Sequence, residues 1–552
     1  VFHIETVIMA FVRAMNAVKQ GVNGADVYTE VGVGNRLLPL FTMLNRGLEE
    51  NYLHKAVEDI ALCNQEEEIR DLFVMAFQTR DVRGGKGERD LFYQMFRALY
   101  QFWPKITEKM LKLVPEYGCW RDMWSIWSAV PELAPAILRI VQARFMEDLV
   151  KASIGVRGET GISLLVKWLP REKSKTYPGL ACKIAAALYA NEPSERHRVV
   201  RYRKECSFIN AVLKTVEVDM CRGTWANITP EAVPGRNLKL HDKAFLNEKK
   251  DGALRNPEDE DRMACREHFQ DFVKELANGT KKAHGANVVF PHELVVKAQD
   301  ARTTMSQHMV NQAQWEAIRE ETLNQGGLGK SVVMCDLSGS MSGIPLQISF
   351  ALGILISECT HPSFKDYILT FDSTPQWHSF KEWKTLKGKL DSLHGCCQGL
   401  NTDFYMACQM ILARMIQWKV PVDEAPEDLI VITDMGFDAA SNTDNYSSSS
   451  HMGPWETQIQ RIQREFREAG EYIWGTGRGW KAPRIVIWNV RAAFKDFHAT
   501  ADQEGVVQLS GWSPSILKAL QKGGVQVTTP YQGMRQILDD ERYDAVRAQY
   551  GM

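Results

Sequence analysis

The chain lacks any run of 18 or more uninterrupted apolar residues, so no membrane-spanning helix is expected. Its 11 cysteines form no CxxC pair, and the odd total argues for a reducing compartment rather than a disulfide framework. His394, Cys396, Cys397 and Cys408 are the one close His/Cys group; their spacing matches no common zinc pattern, so they read as buried or incidental thiols. The opening Val1-Phe2-His3-Ile4-Glu5 carries an acid and no basic leader, unlike a secretory signal. Neither sign of charge dominates, with 66 Lys and Arg against 68 Asp and Glu, which excludes a uniformly basic chain but not a local basic face. The expected location is cytoplasmic, or the virion if the source is viral.

Two signatures of nucleotide and acyl chemistry are also missing. Gly326-Gly327-Leu328-Gly329-Lys330-Ser331 invites a phosphate-loop reading, but Asn324 stands where the first glycine belongs and the stretch precedes its strand. Ser338 is preceded at two residues by Asp336, not the glycine of a nucleophile elbow. No catalytic residues are assigned, and the chain is expected not to be an enzyme.

What is present begins with size. At 552 residues the chain is long enough for two or more cores, and 45% hydrophobic with 24% charged residues is an ordinary globular balance. Up to about residue 300 the apolar residues recur at three and four, as in Leu91, Phe92, Met95, Phe96, Leu99 or Ile137, Ile140, Val141, Phe145, with prolines between segments. This predicts an irregular array of helical hairpins over residues 1–300, then a connecting segment over 301–330. From 331 to 552, strands alternate with helices and a helical tail follows, which predicts a mostly parallel, doubly wound α/β domain. The predicted strands are 331–336, 366–372 and 428–434, a short extended piece near 376–380, and 484–490; the predicted helices are 344–358, 403–417, 455–468 and 514–522.

The run Val332-Val333-Met334-Cys335-Asp336-Leu337-Ser338-Gly339-Ser340 ends a buried strand on a carboxylate and two hydroxyls at alternate positions. Such a strand end points into the crevice where open α/β sheets bind ligands. Downstream, Thr402 precedes an amphipathic helix, and Leu429-Ile430-Val431-Ile432-Thr433 leads to Asp434. Together Asp336, Ser338, Ser340, Thr402 and Asp434 resemble the metal-ion-dependent adhesion site of von Willebrand factor A domains. Hard oxygen donors with few formal charges suit Mg²⁺ or another divalent cation.

Residues 151–250 hold 19 Lys and Arg against 10 Asp and Glu, a local excess of nine positive charges. Gln78 to Asp90 further concentrates Arg80, Arg83, Lys86 and Arg89 around a glycine turn between two helices, where they either grip phosphates or pin the helices through neighbouring acids. This segment, with Tyr117-Gly118-Cys119-Trp120-Arg121-Asp122, Lys167-Trp168-Leu169-Pro170, Tyr202-Arg203-Lys204, Glu217 to Trp225 and Val233-Pro234-Gly235, resembles the family called domain of unknown function 2828. That family's plan is in turn similar to the Ro autoantigen, a TROVE module of helical repeats closed by a von Willebrand A domain. The resemblance implies RNA, structured or single-stranded, as a partner and a ribonucleoprotein scaffold as the role. Lys167, Arg171, Lys173, Lys175, Arg201, Arg203 and Lys204 would form the electrostatic track, with Trp168 and Tyr202 as candidate stacking residues. The alternative is a protein-interaction or virion-associated structural component whose metal site captures a partner's carboxylate. No membrane partner is expected.

Overall fold

The computed structural model describes residues 17–20, 26–154, 161–277, 280–281, 289–371, 375–393, 404–436, 455–516 and 528–551. The chain forms two compact units, each assembled from separated stretches: Val1–Tyr52, Gly84–Lys86 and Gly285–Glu541 in one, Leu53–Arg83, Gly87–His284 and Arg542–Met552 in the other.

The first unit is α/β. It contains a short antiparallel pair, β1 (Val18–Gln20) and β2 (Asp26–Tyr28), and a six-stranded sheet of β3 (Ser331–Asp336), β4 (Tyr367–Phe371), β5 (Gln376–Ser379), β6 (Asp428–Thr433), β7 (Arg484–Asn489) and β8 (Val506–Ser510). The spatial order is β5-β4-β3-β6-β7-β8, parallel throughout except where β5 runs against β4. The chain therefore winds outward from β3 to one edge and returns to lay β6 on the other side of β3. That makes the doubly wound order, whose topological switch point falls between β3 and β6.

The unbroken apolar character of β3 and β6 follows from burial on both faces. On one face Val332, Met334, Leu429 and Val431 pack with Phe404, Ile411 and Met415 of the helix Phe404–Trp418 and with Ile462 and Phe466 of the helix Trp455–Trp474. On the other, the helix Ile344–Cys359 presses against β3 so closely that a β-carbon on Gly353 would lie 2.3 Å from Cys335 Sγ. The absence of a side chain at Gly353 sets that approach.

Among the described residues the second unit is built of helices, with one isolated bridge between Glu248 and Leu254. Its helices include Glu66–Arg80, Asp90–Phe102, Arg121–Ala129, Ala134–Ile154, Leu180–Leu188, Glu195–Leu213, Gly235–Phe245 and Glu260–Ala277. The expected three-and-four spacing does bury one stripe: Phe77 meets the rings of Phe92, Phe96 and Tyr117. Among the described residues no helix is long and apolar enough to cross a membrane.

Helical and α/β classes are as expected, but the division of the chain differs. Residues 301–330 are not a linker. They hold the helix Met305–Asn324, opened by a capping box of Thr304 and Gln307, and its buried Trp315 donates to Glu358 at 2.9 Å. The first 52 residues belong with the sheet: Thr42 donates to Gln508 (3.2 Å) and Asn45 to the Asn489 carbonyl (2.9 Å). The tail from Arg542 belongs with the helices, where Arg542 pairs with Asp81 and Tyr543 stacks on Tyr117 at 5.8 Å. Periodicity reports that a segment is helical and not which core receives it, so these exchanges had no local signal. β8 was also not anticipated, and where a helix over 514–522 was predicted only the turn Pro514–Ile516 is described.

Gly353→Ala should destabilise the α/β unit. Overpacking typically costs about 1–3 kcal/mol, more than the ~1 kcal/mol that alanine gains over glycine in a helix. Denaturant melts should show the loss, and adding Cys335→Ala, which removes the obstructing sulfur, should recover most of it.

Candidate metal site and basic cleft

The pairing of β3 with β6 sets Met334 opposite Val431 and Cys335 opposite Ile432, so Asp336 emerges level with Thr433 and beside Asp434. Both carboxylates are fully buried. Asp336 accepts from the Ser338 amide at 3.0 Å and from the Thr433 hydroxyl at 2.8 Å. The Ser338 and Ser340 hydroxyls are hydrogen-bonded to each other at 3.0 Å. Asp434 accepts from the Gly436 amide at 3.2 Å through Oδ1, while its Oδ2 is buried without a hydrogen-bond partner among the described residues.

Electrostatics make the pair unstable as two bare anions. Burial, then the charge of Asp434, pushes the Asp336 carboxyl up to about 7. Burial likewise lifts Asp434, with the Ser340 hydroxyl, the Gly436 amide and the Arg491 guanidinium pulling the other way. The turn after β6 is also strained: Met435 sits at φ +75°, held by its amide on the Thr433 hydroxyl (3.1 Å) and by His498 Nε2 on its carbonyl (2.8 Å).

These residues fit a hard divalent cation. Two carboxylates and two hydroxyls converge at the switch point, and one buried carboxylate oxygen has no hydrogen-bond partner among the described residues. Asp336, Ser338, Ser340 and Asp434 are thus brought together, whereas Thr402 lies outside the described residues. Sequence reasoning passed over Thr433, although its place just before Asp434 was a signal. Arg491, which donates to the Ser340 carbonyl, had none.

The basic candidates divide sharply. Arg80 and Lys86 do not offer phosphate contacts, because neither reaches solvent. Arg80 donates to Asp122 at 2.8 Å, with Tyr93 holding the other Asp122 oxygen at 2.6 Å. Lys86 Nζ donates to the carbonyls of Phe41 (3.3 Å) and Leu44 (3.0 Å) and to Ser510 Oγ (2.6 Å), at the carbonyl end of the helix Leu37–Met43. Arg83 and Arg89 are exposed, Arg83 donating to the Glu116 carbonyl at 3.1 Å. Lys167 pairs with Glu217 (3.1 Å), and Arg201 with Glu192 (2.9 Å) and Glu205 (2.8 Å). Arg171, Lys173, Lys175 and Lys204 are exposed, with no ion pair among the described residues, and Arg203 has only Glu172 at 3.6 Å.

Three of these cations meet at a cleft of about 290 Å³ in the helical unit. Val166, Leu169, Pro170, Tyr202 and Cys206 supply its apolar part, and Arg171, Lys173 and Arg203 its charge, beside Glu172. Tyr202 and Cys206 share a face of the helix Glu195–Leu213 by their four-residue spacing. Tyr202 is not free to stack a base; it is buried and donates to the Pro170 carbonyl at 2.8 Å. Burial pushes the Cys206 thiol up to about 12, so it serves as a small apolar surface. A flat or apolar group carrying a negative charge suits this lining.

The architecture is that of a two-unit protein, an irregular helical array and a doubly wound α/β unit with an oxygen-lined crevice at its switch point. Residues 137–328 match the family model described as Domain of unknown function (DUF2828), and residues 330–548 match the one described as Domain of unknown function (DUF7788). The match over 137–328 is to the family that the motifs resemble; the Gln78–Asp90 and Tyr117–Asp122 motifs lie before the matched stretch. The chain is 26% identical over 463 residues to uncharacterized protein L728 of Acanthamoeba polyphaga mimivirus, covering 80% of this chain and 75% of that one. A solved structure, the Deinococcus radiodurans RO (RSR) protein, aligns over 89% of this chain and 99% of its own, with 12% identity and a TM-score of 0.41.

Asp336→Asn should remove half the charge that holds an ion and one source of repulsion. Wild-type protein is expected to gain thermal stability on Mg²⁺ addition after chelation, as a native-state ligand must produce. The variant should lose that gain while melting no lower than chelated wild type. An identical Mg²⁺ shift in both would count against a cation at Asp336.

Proposed function

We propose that the protein is a non-enzymatic RNA-binding scaffold whose α/β unit carries a divalent cation. The observation that supports it most is the cleft in the helical unit, where Arg171, Lys173 and Arg203 surround an apolar lining. Cations on the rim contact phosphates, and the apolar part accepts a base or the edge of a sugar. Lys175 and Lys204, exposed nearby in sequence, extend the charge. Arg201 and Lys167 contribute less, because carboxylates already hold them.

In this reading Asp336, Ser338 and Ser340 hold Mg²⁺, or another divalent cation, directly; Thr402 does so directly or through water, and Asp434 through water. The ion supplies positive charge between two buried carboxylates and an open coordination position for an anion. A second reading, capture of a protein partner's carboxylate at that position, is favoured by Arg491, whose guanidinium sits at Ser340 and draws on Asp434. A cytoplasmic or virion setting belongs to the same proposal, and the similar mimivirus protein supports a viral one.

Binding of single-stranded RNA should weaken steeply with salt. Replacing Arg171, Lys173 and Arg203 together by alanine should lower affinity and flatten the slope of log affinity against log salt by about 2, since each lost phosphate contact removes ~0.7. Fluorescence anisotropy over a salt series measures both. An unchanged slope in the triple variant would exclude the cleft as the RNA site, and Asp336→Asn with undiminished RNA affinity would separate the two units' roles.

A further inference from the structure

The turn that borders the cleft of the helical unit carries an acid among its cations. Arg171 to Ser174 form a tight turn, closed by the Ser174 amide on the Arg171 carbonyl at 3.0 Å, which sets Glu172 and Lys173 at its two corners. Both ends are tied down. The Pro170 carbonyl accepts from Tyr202 of the helix Glu195–Leu213 at 2.8 Å, and Ser174 Oγ accepts from the Tyr177 amide at 3.1 Å. Glu172 therefore stands in the cleft lining on a fixed turn, beside Arg171, Lys173 and Arg203.

The fold makes little use of that acid. Arg203 Nη1 comes to 3.6 Å of its Oε1, too far for a hydrogen bond, and no other described residue pairs with it. Both side chains are open to solvent, Arg203 at 61% and Glu172 at 35%. A carboxylate there repels phosphates, so a cleft that served only an RNA backbone would be better without it. What the pair offers is a donor group beside two acceptor oxygens. Among the four RNA bases, guanine presents the complementary row on its Watson–Crick edge: O6 accepts, while N1–H and the N2 amino group donate. Uracil would face Glu172 with two carbonyls around one N–H, and adenine and cytosine each set an acceptor next to their amino group. At about 290 Å³ the cleft lies at the small end of ligand pockets, which gives room for one ring system and not for a run of stacked bases.

We propose that the cleft reads a single guanine in single-stranded RNA: Glu172 accepts from N1–H and the N2 amino group, Arg203 donates to O6, and Arg171 and Lys173 hold the adjoining phosphates. The proposal rests on the RNA-binding reading and adds base specificity to that same site. Arg203 carries five N–H groups, enough to serve O6 and still face a phosphate. The apolar walls of Val166, Leu169 and Cys206 keep water from the ring, so any other base leaves Glu172 against an acceptor with no donor to replace the one lost. An acidic peptide brings no such donors and meets Glu172 as a like charge.

The test uses the full chain and uridine RNAs of roughly twelve nucleotides, within the usual span of such sites, followed by fluorescence anisotropy at one salt concentration. One central guanosine should tighten binding over the all-uridine RNA by about tenfold, the scale of a bidentate base contact. Inosine, which lacks only the N2 amino group, should forfeit most of that gain, a comparison that needs no variant. Glu172→Gln, at an exposed corner of the turn, should bring the guanosine-to-uridine affinity ratio to near one, because its amide N–H groups oppose guanine's donors. Wild-type protein that binds the guanosine, inosine and uridine RNAs alike would overturn the guanine reading and leave RNA binding standing, as would a guanosine gain that survives Glu172→Gln. A gain kept with inosine but lost with 2′-deoxyguanosine would assign Glu172 to the sugar hydroxyl and also overturn it. Wild-type protein that binds no RNA at all would remove both.

Discussion

The parallel register between β3 and β6 is the constraint on which the α/β unit turns. It carries Asp336 and Asp434 to the same end of the sheet and buries both. Burying one carboxylate without full compensation is costly, and burying two side by side is more so. The surroundings respond with donors: the Ser338 and Gly436 amides, the Thr433 hydroxyl and, at the rim, Arg491. The turn is strained at Met435, the residue that follows Asp434. A fold that needed only stability would gain by replacing these groups with apolar ones, which is the physical argument behind the proposed cation.

Cations in this chain follow a simple rule of disposal. Where a buried acid or a row of carbonyls meets the side chain, the charge is consumed in holding the fold, as with Arg80 on Asp122 and Lys86 on the carbonyls of Phe41 and Leu44. Where the chain offers no such acceptor, the charge stays outside, as with Arg171, Lys173 and Lys204. Local density of lysine and arginine does not distinguish the two. The glycine turn at 84–87 admitted both a phosphate grip and a pin through neighbouring acids, and charge density alone does not choose between them.

Much of the site was nevertheless legible. Asp336, Ser338, Ser340 and Asp434 were readable because a strand end fixes direction: an apolar run followed by oxygen-bearing residues places those residues at the edge whatever the remainder of the fold does. Four expected strands begin and end within a residue of those observed, for the same reason. β8 escaped because Val506-Val507-Gln508-Leu509-Ser510 mixes polar side chains into a buried strand, and Gln508 Oε1 and Ser510 Oγ find Thr42, the Phe41 carbonyl and Lys86 far away in the chain.

Local order along the chain was thus enough to determine two classes of structure, helical array and wound sheet, and four of the five oxygen-bearing residues proposed for the crevice, because periodicity and strand ends are properties of near neighbours. Tertiary structure alone decided that residues 301–330 and the first 52 join the sheet, that the tail from Arg542 joins the helices, and which arginines and lysines remain in water. Those outcomes depend on pairing between groups hundreds of residues apart, and no local pattern encodes the partner that buries a charge or a carbonyl.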